Sequence, residues 1–89
     1  MVVGYIHIDT KPSRHDYVES MLKRLDGIKD VYRIENPLPD LIVVTDDLPN
    51  STVVRDFVLE KICSIEGVMD AQINMTTEFD ENGKIIRFD

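Results

Sequence analysis

Two segments of the chain carry apolar residues at the three- and four-residue spacing of a helix that packs on one side. The first stripe comprises Val18, Met21, Leu22 and Leu25, and the second comprises Val54, Phe57, Val58, Ile62 and Ile65. Each stripe is followed two residues later by a glycine, Gly27 or Gly67. Helices often end at a residue with positive φ, which only a residue without Cβ adopts freely. The pattern therefore predicts two amphipathic helices that stop at these glycines.

The two helical segments belong to one repeated unit. Residues 25–31 (LDGIKDV) recur as residues 65–71 (IEGVMDA), and earlier apolar positions match at the same offset. Each copy has the pattern of a helix, a glycine and a strand, and an apolar segment precedes each helix. Two such copies in 89 residues imply a βαβ-βαβ sandwich with pseudo-twofold symmetry.

Four segments have the composition of strands. Residues 2–9, 28–35 and 69–77 alternate, whereas residues 41–44 are apolar on both faces, as expected of a central strand. A strict period of two predicts which residues share a face. The predicted sets are Val2, Gly4, Ile6 and Ile8 toward the core; Ile28, Tyr32 and Ile34 on one face of the second strand; and Met69, Ala71, Ile73 and Met75 opposite Asp70, Gln72, Asn74 and Thr76.

These elements predict an α+β fold, a ferredoxin-like βαββαβ sandwich with both helices on one face. Because an antiparallel link joins two right-handed crossovers, the expected strand order is 4-1-3-2. Residues 1–78 form this single domain. Residues 79–89 form a tail whose turn signal and apolar residues predict a fifth strand at the sheet edge rather than a disordered end.

The sheet face without helices is predicted to be a dimer interface. A soluble monomer rarely exposes a contiguous apolar patch, so a second copy packed sheet on sheet is the expected cover. The predicted interface residues are Val3, Tyr5, His7, Ile42 and Val44.

Charge and cysteine content narrow the classes of function. Ten basic and seventeen acidic side chains give a formal net charge of −7, and no basic cluster exceeds Lys23-Arg24. Direct nucleic-acid binding is therefore disfavoured. The lone Cys63 excludes an internal disulfide, and its helical position predicts a small core residue. The sequence carries no signal-peptide pattern and no membrane-length apolar run, so a soluble, cytoplasmic protein is expected.

Few residues have the pattern of a catalytic or metal centre. His7 is predicted to be a half-buried interface residue and His15 a solvated residue of the first helical turn, because no cysteine or His-x-His spacing completes a metal set. Glycine-rich phosphate loops and nucleophile motifs are absent from the sequence. We therefore expect no metal, no cofactor and no enzymatic activity.

The strongest polar cluster is expected where the loop before the third strand meets the last strand. The predicted ligand-binding residues are Asn36, Asp40, Gln72, Asn74 and Thr76. A few hydrogen-bonding groups on an apolar wall suit a small zwitterion or another polar metabolite. The alternative is that Asp40 caps a turn and Asn74 faces water.

Four stretches of the chain resemble the effector-binding domain of Lrp/AsnC transcription regulators, also called the RAM domain. They are residues 25–32, 40–44, 57–59 and 65–68, within a likeness that spans residues 2–77. The resemblance implies dimerisation through the sheet, further assembly into octamers, and amino-acid binding between subunits near Asp40. Pro37 stands where the family has a glycine, and Ile73 where it has a threonine.

The sequence lacks the helix-turn-helix of the full-length regulators, so it is similar to the stand-alone form. That form is expected to sense a metabolite, to co-assemble with a full-length relative, or both, without contacting nucleic acid or a membrane itself. Two other hypotheses stay open. One is a small monooxygenase-like enzyme of the dimeric α+β barrel kind, with a cavity lined by His7, Tyr5 or Asn74. The other is a chaperone that binds an extended peptide at an edge strand.

Overall fold

The computed structural model describes residues 1–34 and 40–89. Its strands are β1 (Val2–Thr10), β2 (Ile28–Ile34), β3 (Asp40–Thr45), β4 (Val68–Phe79) and β5 (Ile85–Phe88). A 3-10 turn, Pro12–Arg14, leads into helix α1 (His15–Arg24), and helix α2 (Ser51–Phe57) continues as a π-helical segment, Val58–Ile62.

Within the described ranges the strands form a five-stranded sheet in the order β2-β3-β1-β4-β5, and every neighbouring pair is antiparallel. Helix α1 connects β1 to β2, and helix α2 connects β3 to β4. The predicted ferredoxin-like fold and the 4-1-3-2 order of the first four strands are confirmed. The tail also adds the predicted fifth strand, which pairs with β4 at the edge.

The hydrophobic core lies between the helices and one face of the two central strands. Ile6 and Ile8 of β1 and Leu41 and Val43 of β3 are fully buried. Their partners on the helix side are Val18, Leu22, Val58, Ile62 and Ile65. Burial of each such side chain contributes about 1.5–3 kcal/mol. Both predicted helical stripes therefore pack on the same face of the sheet.

The helix exits use the backbone conformation that the sequence predicts. Gly27 has φ 96° and Gly67 has φ 101°. At Gly27 an added Cβ would also lie 2.9 Å from Cε2 of Phe57. The positive φ and the short distance to Phe57 both favour glycine at this helix end. The predicted role of Gly27 in ending the first helix is therefore confirmed.

The second helix begins at a side-chain cap and ends with a widened turn. The side chain of Asn50 accepts a hydrogen bond from the Val53 N–H at 3.0 Å. At the other end the Cys63 N–H donates to the carbonyl of Val58 at 2.9 Å, an interaction across five residues. Cys63 is exposed and Ile62 is fully buried, so the prediction of a core cysteine is wrong.

A β-bulge changes the predicted faces of β2. The register shifts between Ile28 and Asp30. Ile28 and Val31 consequently both pack against the core, whereas Tyr32 and Ile34 are exposed. The prediction that Ile28 shares a face with Tyr32 and Ile34 is wrong, because the extra residue shifts the alternation by one.

A second bulge interrupts β4. Tyr5 pairs with Met75, but the next residue of β1, Ile6, pairs with Ile73, which leaves Asn74 without a partner on β1. Strict alternation therefore fails at Asn74. The sequence predicts one apolar face for Met69, Ala71, Ile73 and Met75. The bulge instead places Met75 on the face opposite to that of Ala71 and Ile73.

In the described part of the chain, neither helix has the length and apolar character needed to span a bilayer.

Candidate functional site

The face of the sheet that points away from the helices is called the open face here. Directly paired residues of neighbouring strands share a face. Tyr5 pairs with Val44 and Met75, and His7 pairs with Ile42, so these side chains lie together opposite the buried Ile6. The residues that define the open face are Val3, Tyr5, His7, Asp9, Tyr32, Asp40, Ile42, Val44, Asp70, Gln72 and Met75. All five predicted interface residues therefore belong to it.

The centre of the open face is apolar and accessible. Tyr5, Ile42 and Val44 are half-buried between their neighbours, and Tyr32 on the edge strand is 54% exposed. Val3 is already buried within the single chain. A partner covering this face would therefore gain contact area mainly over β2, β3 and the second half of β1.

One end of the open face carries a histidine and two carboxylates, which we call the His7 cluster: His7, Asp9 and Asp40. His7 Nε2 lies 3.1 Å from Asp40 Oδ2, a hydrogen-bonding distance, and 3.8 Å from Asp9 Oδ1. The side chains of His7, Asp9 and Asp40 are 29%, 48% and 26% exposed. The three groups are thus close together and still reach water.

Strand pairing explains how the His7 cluster forms. Asp9, near the end of β1, pairs with Asp40, the first residue of β3, and His7 lies two residues before Asp9 on the same face. Sequence reasoning assigned His7 and Asp40 to separate roles and did not single out Asp9. The signal that could have found the cluster was the predicted antiparallel neighbourhood of the first and third strands, with an aspartate at the adjoining ends.

The same end of the sheet carries further polar groups. Asp9 also pairs with Asp70 on β4, and His7 pairs with Gln72. The Gln72 amide nitrogen donates to Asp70 Oδ2 at 3.2 Å. Asp9, Asp40 and Asp70 therefore lie together at this corner of the open face, which makes the corner strongly negative.

The structure divides the predicted ligand-binding residues into two groups. Asp40 and Gln72 lie on the open face, but Thr76 is buried and pairs with Gly4, which faces Val54 of α2 on the helix side. Asn74 and Thr76 line a cavity of about 400 Å³ on the helix side. The prediction of one polar face shared by Gln72, Asn74 and Thr76 is wrong, because the bulge at Asn74 reverses the alternation. Asn36 lies outside the described residues.

The cavity around Asn74 is lined by positively and negatively charged side chains. Its other lining residues are Ser51, Arg55, Ile73, Arg87 and Asp89. Arg87 is already engaged by Asp89, with Nε and Oδ2 3.0 Å apart. Tyr5 and His7 lie on the opposite side of the sheet, so they do not join Asn74 in one cavity.

The second histidine belongs to the packed side of the fold. His15 is buried, and its Nδ1 lies 3.3 Å from the hydroxyl of Thr10. Its Nε2 is buried without a hydrogen-bond partner among the described residues. The prediction of a solvated His15 is wrong, because the 3-10 turn places it under the end of β1 rather than on the outer surface of α1.

Neither a protein-family model nor a curated protein matches the chain. Solved structures do match it, and two of them match over nearly their full length. The structure of TTHA0845 from Thermus thermophilus has a TM-score of 0.71 at 24% identity, covering 85% of this chain and 89% of that one. A hypothetical protein from Pyrococcus horikoshii, PHS023, has a TM-score of 0.76 at 21% identity, covering 92% and 95%.

A third similar structure has a described role. It is PF0864 from Pyrococcus furiosus, a transcriptional regulatory protein of the AsnC family, with a TM-score of 0.59 at 22% identity over 81% of this chain. The present chain spans about half of that regulator, 48% of its length. At these identities the three likenesses establish a shared fold. The fold of this chain thus recurs within an AsnC-family regulator.

Proposed function

We propose that the chain is a stand-alone module of the Lrp/AsnC type that self-associates through its open face. In this proposal it binds a small metabolite, an amino acid or a related compound, at the resulting subunit interface. It then modulates transcription regulators in the cytoplasm by co-assembling with a full-length relative. The observation that carries the proposal is the open face itself, which is apolar at its centre and polar at one end.

The apolar centre supports association. Tyr32, Ile42 and His7 form one continuous row across three strands, and Val44, Tyr5 and Met75 form the next. A chain of 89 residues buries a comparatively small share of its surface when it folds, so association adds stability that one copy lacks. A twofold axis through this face would pair each row with its equivalent in the second copy.

The polar end supports ligand binding at the edge of the same interface. Asp40 offers a carboxylate for an ammonium group, and Gln72 offers an amide, beside the apolar rows. Asp40 is also the position that the resemblance assigns to effector binding. The recurrence of the fold in an AsnC-family regulator supports the choice of a regulatory module.

Self-association is tested by size-exclusion chromatography with light scattering. Wild-type protein is expected to form a dimer or a higher even assembly. Val44→Asp places a charge in the centre of the open face of an acidic protein, and should give monomers. The matched control is Leu59→Asp, which changes an exposed apolar residue of the π-helical segment and should leave the assembly intact. A wild-type monomer at micromolar concentration would contradict the proposal.

Ligand binding is tested by thermal denaturation with a panel of amino acids and related metabolites. A ligand present at 100 times its dissociation constant stabilises the folded state by about 2.7 kcal/mol. Asp40→Asn should remove this gain, whereas Asp47→Asn, an exposed aspartate outside the open face, should retain it. An assembled protein whose melting temperature no member of the panel raises would contradict the ligand-binding part.

Co-assembly is tested by native mass spectrometry of this chain mixed with a full-length Lrp/AsnC regulator. Mixed oligomers are expected, and Val44→Asp should abolish them together with the homodimer. Exclusively separate homo-oligomers would show that the module does not act through a full-length relative.

A further inference from the structure

We propose that His7, Asp9 and Asp40 bind one divalent ion of a first-row transition metal. The ligand atoms of the three side chains all lie within 4.8 Å of one another. In a tetrahedral zinc site with bonds of about 2.1 Å, ligand atoms lie about 3.4 Å apart. The observed 3.1 Å and 3.8 Å from His7 Nε2 to the two carboxylates bracket that value. The three groups are thus already spaced as ligands of one ion would be, to within a few tenths of an ångström for the two pairs that include His7.

The donor set selects the class of metal. One imidazole nitrogen with two carboxylate oxygens suits zinc, nickel or iron better than magnesium or calcium, which prefer oxygen ligands. Two carboxylates also neutralise the charge of a divalent ion. The imidazole Nε2 lies within 4 Å of both carboxylates, so one ion can reach all three groups.

The position of the cluster in the sheet favours a defined site. His7 and Asp9 are on β1 and Asp40 is on β3, the two central strands, so backbone pairing fixes their relative positions. Asp70 pairs with Asp9 from the other side and adds negative potential at the same corner. All three ligands remain partly exposed. Water therefore reaches the ion, and a three-ligand site keeps at least one position open for it.

The competing account is a plain hydrogen bond between His7 Nε2 and Asp40 Oδ2, with no metal ion. Both accounts predict that the residues lie close together, but only the metal site predicts that an added metal ion is retained by the histidine. The inference does not rest on the proposed association, because all three ligands come from one chain. It shares Asp40 with the proposed ligand site, so His7→Gln and Asp9→Asn are the variants that test the metal site without changing Asp40.

Isothermal titration of metal-stripped full-length protein with Zn²⁺ tests the site. One ion per chain is expected. His7→Gln, Asp9→Asn and Asp40→Asn should each weaken binding by at least about 10-fold, the loss that removing even an outer hydrogen-bond partner of a metal ligand causes. Asp47→Asn, the matched change at an exposed aspartate elsewhere, should bind as the wild type does. Circular dichroism confirms that each variant is folded.

A spectroscopic readout separates coordination by His7 from attraction to the acidic corner. Co²⁺ should give visible absorption bands with the wild-type protein, and His7→Gln should lose or shift them. Failure to retain any ion would overturn the proposal, as would equal Zn²⁺ affinity in His7→Gln or equal affinity for Mg²⁺. The Val44→Asp monomer should still bind Zn²⁺, so loss of association and loss of the metal site are measured independently.

Discussion

The two faces of the sheet use the same strands for different purposes. On the helix face, Ile6, Ile8, Leu41 and Val43 are fully buried and belong to one apolar cluster with residues of both helical segments. On the open face, the residues that alternate with them are half-buried or exposed, and they end in the His7 cluster. Consecutive residues of one strand thus contribute either to folding or to recognition, according to which side they face.

The difference in burial between the two faces indicates where the fold tolerates charged side chains. The helix face excludes water, so a carboxylate there would have to be desolvated without compensation. The open face in one copy remains in contact with water, and three aspartates and a histidine are accommodated at its corner. Ionisable side chains such as those of the His7 cluster can lie on the open face, because folding of one copy does not require that face to be buried.

The largest expected effect comes from truncating one isoleucine on each face. Ile8→Ala should lower the free energy of unfolding by about 2–5 kcal/mol, because it leaves a cavity in a fully buried core. Ile42→Ala, at a half-buried open-face position, should cost about 1 kcal/mol in the monomer. Urea denaturation followed by circular dichroism, at concentrations low enough to dissociate the protein, measures both.

Ile42→Ala should also make stability less dependent on protein concentration, because it weakens association. Ile8→Ala should leave that dependence unchanged. Equal losses for the two variants in the monomer would show that the two faces do not differ as described.

Periodicity predicted the helix face well because helices and central strands keep their periods over several residues. The stripe ending in Leu25 and the alternation from Val2 to Ile8 both point to the observed core. The open face was predicted less well, because each β-bulge adds one residue and reverses every face beyond it. Nothing in the residues around Asn74 distinguishes a bulge from regular alternation. The sequence consequently predicted Thr76 on the wrong side of β4.

The candidate site was predictable only in part, for a related reason. His7 and Asp40 were both singled out, but a contact between residues 33 positions apart depends on the register of two strands. Strand order was predictable from topology, whereas register was not. Asp9 became visible as a site residue only when its pairing with Asp40 was known.

Enlarging one side chain on each face should also change stability unequally, by less than the isoleucine truncations do. At Gly4 an added Cβ would lie 2.7 Å from Cγ1 of Val54, so Gly4→Ala forces α2 away from β1. Its backbone N–H already donates to the Thr45 hydroxyl at 2.8 Å, which leaves little room for adjustment. Overpacking of this kind costs about 1–3 kcal/mol. Val44→Ile, which adds one methylene on the open face, should cost less than about 0.5 kcal/mol in the monomer.

A double variant checks the cause of the Gly4 effect. Val54→Ala removes the clashing methyl groups, so Gly4→Ala should cost less in that background than in the wild type. Thermal or urea unfolding of the four proteins in the cycle gives the coupling. Strict additivity would mean that the contact with α2 is not the reason why β1 carries glycine at this position.

The smallest expected effect compares Arg33 and Tyr32, consecutive residues of the edge strand that point to opposite faces. The Arg33 guanidinium donates hydrogen bonds to Glu19 and Asp16 of α1, each at 2.6 Å, and these bonds raise the pKa of Arg33. A raised pKa means that the charge stabilises the fold fully at any pH below the ordinary value for arginine at which Glu19 and Asp16 are still ionised. Arg33→Gln should therefore lower stability slightly, by an amount that does not change between about pH 7 and about pH 10.

Unfolding at several salt concentrations distinguishes the effect of Arg33→Gln from that of Tyr32→Ser. Because the ion pairs of Arg33 are accessible to solvent, the loss in Arg33→Gln should shrink as ionic strength rises. Tyr32→Ser should leave unfolding of the monomer almost unchanged at any salt concentration, since its ring packs on the open face and is 54% exposed. It should instead weaken association in light scattering. A loss in Arg33→Gln that does not shrink as salt is added would mean that Arg33 stabilises the helix face through packing of its aliphatic stem rather than through its charge.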